Sequence, residues 1–98
     1  MWRHGDVLIA AVATVPSAAR KLPTCVLARG EMTGHSHRIE QPDAAEVWQY
    51  EGQLFLKIIG DRAVLIHEEH KPITLPHGTY RVWQQREYTP RAIRTVVD

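Results

Sequence analysis

Glu46-Val47-Trp48-Gln49-Tyr50-Glu51-Gly52-Gln53-Leu54-Phe55-Leu56-Lys57-Ile58-Ile59 sets two β-like runs on either side of Glu51-Gly52. A two-residue break ending in glycine is a strong hairpin signal, because the tight turns that match strand twist need positive φ. Outward from this hairpin the chain keeps the same grammar. Toward the C-terminus, Gly60-Asp61 predicts a turn and residues 62–67 a strand. Residues 73–75 make a short strand or edge bounded by Pro72 and Pro76. His77-Gly78 then turns the chain into a strand over 79–88, and Pro90 separates that from a last one over 91–97. Toward the N-terminus, Gln41-Pro42-Asp43 is a turn, 32–40 and 24–28 are strands parted at Gly30, and 6–13 is the first strand. Residues 17–21 suit one helical turn, stopped by Pro23. No segment holds a helical period, and strands recur roughly every eight to twelve residues, which predicts an all-β chain: a small antiparallel β-barrel or sandwich.

Ninety-eight residues predict a single β-rich domain, 1–98, since domains commonly hold about 100–150 residues. An apolar fraction of 44% builds a real but thin core, with room for a closed cavity only in a barrel or an oligomer. The formal charge of +1 favours no class of partner. Arg81, Arg86, Arg91 and Arg94 crowd the C-terminal end, offset by Glu87 and Asp98. Clustered arginine suits phosphate or carboxylate, and equally a solvated face. The single cysteine, Cys25, excludes an internal disulfide and fits a reducing, cytoplasmic setting. Between Thr24 and Val26 it reads as a small buried hydrophobe. The apolar run 7–15 is too short to span a bilayer, and Asp6 at its start argues against a secretion signal, so no membrane partner is expected.

Four of the six histidines fall into two pairs, Gly34-His35-Ser36-His37 and His67-Glu68-Glu69-His70. Neutral imidazole is the commonest metal ligand, and histidine titrates near physiological pH. Side chains alternate along a strand, so His35, His37 and Ile39 share one face. Gly34 permits a bulge that aims them. On a continuous strand His67 and His70 would face opposite ways. A turn before Lys71-Pro72, encouraged by the restriction on a residue preceding proline, would bring them together. Glu68 or Glu69 then stands ready as ligand, orienter or acid/base. Either pair alone also fits an exposed polar strand or strand end. His4 and His77 are isolated and read as turn residues. Three or four histidines with a carboxylate would suit zinc, iron, copper, nickel or manganese.

The second candidate is Gln84-Gln85-Arg86-Glu87-Tyr88. On a strand Tyr80, Val82, Gln84, Arg86 and Tyr88 share a face that could line a pocket or orient a phosphate, with Arg81, Trp83, Gln85 and Glu87 opposite. The other reading is that one of these faces meets only solvent.

The order H-x-H, a later histidine beyond a hairpin, and the turn Pro76-His77-Gly78 resembles a reduced cupin. That resemblance implies a metal inside a β-barrel, with His35 and His37 as the paired ligands. Glu40 lies too close to them for the usual cupin glutamate, and Arg81 stands where a cupin places its last histidine. The set of Gly34-His35-Ser36-His37, His67-Glu68-Glu69-His70 with Lys71-Pro72-Ile73, and Gln85-Arg86-Glu87-Tyr88 also looks like a family of small bacterial and phage proteins. That likeness covers nearly the whole chain and implies a shared design without an activity.

Three functions follow from these residues. The first is a metal-binding β-barrel, a metal-dependent hydrolase or oxidoreductase for a small-molecule substrate. His35, His37, His67 and His70 would hold a divalent metal ion, with Glu68 or Glu69 as base. The second is a metal-free ribonuclease for single-stranded RNA. Paired histidines would act as acid and base, Lys71, Arg81 or Arg86 would contact phosphate, and Tyr88 or Trp83 would stack on a base. The third is a non-enzymatic binding module or a subunit of a homo-oligomer, for which three tryptophans and three tyrosines supply interface area.

Overall fold

In the computed structural model, which describes residues 1–30 and 34–85, the Glu51-Gly52 hairpin closes with Tyr50 paired to Gln53. Glu51 (φ 49°) and Gly52 (φ 78°) both take the left-handed conformation that such a turn demands. Glutamate is disfavoured there, because its Cβ crowds the following carbonyl, whereas asparagine tolerates it. Glu51→Asn is therefore expected to stabilise the fold by about 1 kcal/mol, a rise in Tm of about 4–8 °C by calorimetry. An unchanged or lower Tm would show that the turn carries no strain.

Among the described residues eight strands build one antiparallel sheet: β1 (Trp2–His4), β2 (Val7–Ala11), β3 (Arg20–Lys21), β4 (Val26–Arg29), β5 (Ser36–Ile39), β6 (Ala45–Tyr50), β7 (Gln53–His67) and β8 (His70–Gln84). A 3-10 turn at Pro42–Ala44 leads into β6. The strand order is β1-β2-β8-β7-β5-β4, and β6 pairs with both β7 and β3. The sheet curls into a half-barrel, so the barrel-like form holds over the two-sheet sandwich. Among the described residues there is no α-helix, and none of the helical segments is long and apolar enough to cross a membrane.

The curl comes from two long strands that sequence reading divides. Neither Gly60-Asp61 nor His77-Gly78 reverses the chain, and residues 73–75 are not a separate strand. All lie within β7 and β8. Between the pairs Ile58↔Gly78 and Arg62↔Pro76, residues Ile59, Gly60 and Asp61 bulge opposite His77 alone. The buried set of β7 accordingly moves from Leu56 and Ile58 to Ala63 and Leu65. The bulge reverses the alternation, and that break mimics a turn in the sequence. Nδ1 of His77 lies 3.2 and 3.1 Å from the carbonyl oxygens of Ile59 and Gly60, so its N–H closes the bulge. Pro72 and Pro76 fall beside the two register shifts, where a missing N–H costs no ladder bond.

The bend lets β7 serve two neighbours, β6 along its first half and β5 near its end. Val7, Ile9, Ile39, Val47, Leu56, Ile58, Leu65 and Leu75 fill the interior, each no more than 4% exposed. Other differences are local. Residues 17–21 form a turn closed by Ala19 N–H donating to Pro16 O, then the short β3, instead of a helical turn. β1 is an added strand. The expected strand over 91–97, the end of that over 79–88 and the start of that over 32–40 lie outside the described residues.

Candidate metal centre

Two tight turns and one strand bring four histidines to one end of the barrel. Glu68-Glu69 connects β7 to β8, so His67 and His70 are direct cross-strand partners and need no later bend at Lys71. Gly5-Asp6 connects β1 to β2, pairing His4 with Val7. The third contribution is β5, whose His37 and Ile39 both point inward. The rings of His37 and His67 lie 4.3 Å apart, those of His67 and His70 4.6 Å, and those of His4 and His37 4.9 Å. His35 joins at 5.6 Å from His67. The two sequence pairs therefore meet in space, and His4 is part of the cluster instead of an isolated turn residue. His77 stays at the bulge.

A chain of hydrogen bonds fixes the tautomers. Nε2 of His4 lies 2.9 Å from Lys71 O, and a carbonyl can only accept, so this nitrogen carries the proton. Burial, together with the nearby His70 and His67, lowers the His4 pKa and keeps its ring neutral, which leaves Nδ1 as an acceptor. That nitrogen is 2.9 Å from His37 Nδ1, so His37 donates from Nδ1 and turns the bare lone pair of Nε2 outward. Asp6 Oδ1 faces this lone pair at 3.5 Å. Two acceptors opposed in this way are satisfied by a cation or a proton between them. Burial, then His67 and His4, push His37 down to about 4, so its ring is neutral at pH 7.

His67 is oriented differently. Its Nδ1 accepts the Glu69 N–H at 2.9 Å, and burial followed by His70 lowers its pKa, so the proton resides on Nε2. Glu68 is held by its surroundings. Its own N–H and that of Ser36, at 3.1 Å, together with Arg38 at 3.0 Å, hold its carboxyl down at about 2. A carboxylate of that acidity orients or ligates, and serves poorly as a general base at neutral pH.

A cavity of about 630 Å³ opens over the cluster, lined by Asp6, Gly30, His35, His37, His67, Glu69, His70 and Gln84. Single ligand atoms of His37, His67 and His70 lie within 4.8 Å of one another, and so do those of His35, His67 and Glu68. Of the residues expected to bind substrate, Lys71 contributes only its backbone carbonyl to this end, through His4. Arg81 lies over Trp83, 5.3 Å from the ring centre, beside a separate cavity of about 280 Å³. Arg86 and Tyr88 lie outside the described residues. Cys25 sits with its thiol 3.4 Å from Ala45 O, and burial raises its pKa, which suits an inert filler.

His4 and Asp6 are the participants that sequence reading passes over. The available signal was Gly5-Asp6, a two-residue hairpin turn between apolar-flanked runs, which would have placed His4 at a sheet end. Residues 3–85 match the family model described as Domain of unknown function (DUF8820). No curated protein and no solved structure matches the chain significantly.

Proposed function

The chain belongs to this family of unknown function, so its activity is read from the site itself, and we propose that it binds a divalent metal ion through His37, His67 and His70. One observation carries this reading: three imidazoles that line one cavity share a small volume, and His4 fixes one of them with its lone pair turned to the cavity. A partner that sets the ring of a ligating histidine in this way is a regular part of metal sites. Nitrogens bound to one tetrahedral zinc stand about 3.3 Å apart, inside the 4.8 Å span within which the trio's ligand atoms lie. His67 must also yield, releasing either the Glu69 amide from Nδ1 or its own proton from Nε2.

A bound ion of this kind supplies Lewis acidity that polarises a substrate oxygen and acidifies water, which fits a metal-dependent hydrolase or oxidoreductase. The chain supplies the rest. Gln84 donates to Asp6 Oδ2 at 3.0 Å, holding the carboxylate over His37, and Glu69 adds a second carboxylate at the rim. Among the described residues the lining includes these two acids and no lysine or arginine, which favours a neutral or cationic small molecule over RNA. Burial also lowers the pKa of His4, His37 and His67, which makes these three rings poor general acids at neutral pH.

Thermal unfolding with and without zinc tests this. At zinc about 100-fold above Kd the native state gains about 2.7 kcal/mol, a rise in Tm of about 10–20 °C. Chelator should reverse the rise, and His37→Ala and His67→Ala should show little of it. A wild-type Tm unmoved by zinc, copper, nickel, iron and manganese alike would overturn the proposal.

A further inference from the structure

We propose that the cluster holds two divalent ions joined through His67, one set by His37, His67 and His70 and the other by His35, His67 and Glu68. This rests on the metal-binding reading above and extends it from one ion to a pair. The two trios share His67 alone. An imidazole has two ring nitrogens on opposite edges, so one ring can serve two ions. The second trio is already assembled: Ser36 N–H and Arg38 anchor the Glu68 carboxylate, which keeps lone pairs to spare. The His35 ring stands at 89° to that of His67, and its Nδ1 is 3.8 Å from Glu69 Oε1. Glu68 supplies negative charge within the second trio, and Asp6 and Glu69 supply it at the cavity wall, where two dications need it.

The binding step balances simply. His67 enters neutral, with its proton on Nε2 and the Glu69 N–H bonded to Nδ1. Each ring nitrogen takes one ion, the Nε2 proton passes to solvent, and the Glu69 amide gives up its acceptor.

Copper(II) is the probe. Untagged protein is loaded, desalted and analysed for copper, with proton release followed at constant pH and electron paramagnetic resonance recorded. Two coppers per chain, one proton released from His67 and a signal weakened by coupling between the ions are expected. His35→Ala should hold one copper with a full, uncoupled signal, and Glu68→Gln provides a second route to the same result should His35→Ala fold poorly. One copper in the wild type, unchanged in His35→Ala, would overturn the pair and leave the single-ion reading standing. Two uncoupled coppers would place the second ion elsewhere and also overturn it. No copper at all would sink both proposals.

Discussion

Acidifying the metal-free protein from pH 7 to about pH 4 is expected to cost about 3 kcal/mol of folding stability through His37 alone. His37 is 5% exposed, and its pKa falls from 6.5 to about 4 in the folded chain. Between those values the unfolded chain binds the proton and the native chain refuses it, so the contribution is full above 6.5 and lost as pH falls toward 4. His4 and His67, also lowered, act in the same direction. Glu68, held at about 2 against an ordinary 4.5, contributes stability that is lost only below that ordinary value, so the two windows separate. Urea unfolding in chelator across this range should show the midpoint falling well before the carboxylates titrate. His37→Gln should remove about 3 kcal/mol of the loss. A midpoint flat from pH 7 to about 5 would contradict the buried neutral cluster.

Gly5→Ala is expected to destabilise the fold by about 2–4 kcal/mol and to open the histidine cluster. Gly5 turns β1 into β2 at φ +62°, a conformation that costs any residue with a Cβ about 1–2 kcal/mol. The added methyl would also stand 2.6 Å from His70 Nε2 and 3.1 Å from His37 Cε1, so His70 must leave its place. The two effects are separable. Chemical denaturation reads the first, and histidine ring resonances by NMR read the second, where those of His70 and His37 should move and that of His77 should not. Wild-type ring shifts in Gly5→Ala would show that Gly5 does not wall the cluster. The same close approach explains why a glycine, and no other residue, suits the turn that presents His4.

The antiparallel class, the Glu51-Gly52 hairpin and the shared inward face of His37 and Ile39 were legible because they rest on local rules: alternation and turn chemistry. The rest needed contacts far along the chain. His4 is defined by Lys71 O and by His37, sixty-seven and thirty-three positions away, and nothing adjacent to it announces either. Glu68-Glu69 makes a two-residue turn without the glycine or asparagine that normally marks one, so the approach of His67 to His70 could be read only as conditional. The bulge at Ile59-Gly60-Asp61 imitates a chain reversal because it breaks alternation at a glycine. Pro72 and Pro76 imitate strand ends, although both sit where the ladder is already interrupted. Lys71 and Arg81 were expected at the site on charge alone, and charge does not say which way a strand residue points.

Elemental analysis of untagged protein, supplemented in turn with zinc, copper, nickel, iron and manganese and then desalted, tests the metal site most directly. The wild type should retain at least one equivalent of one of these metals. His37→Ala and His67→Ala should lose it while keeping their β-sheet circular dichroism, and His77→Ala should retain it. A wild type that emerges free of every metal would contradict the account.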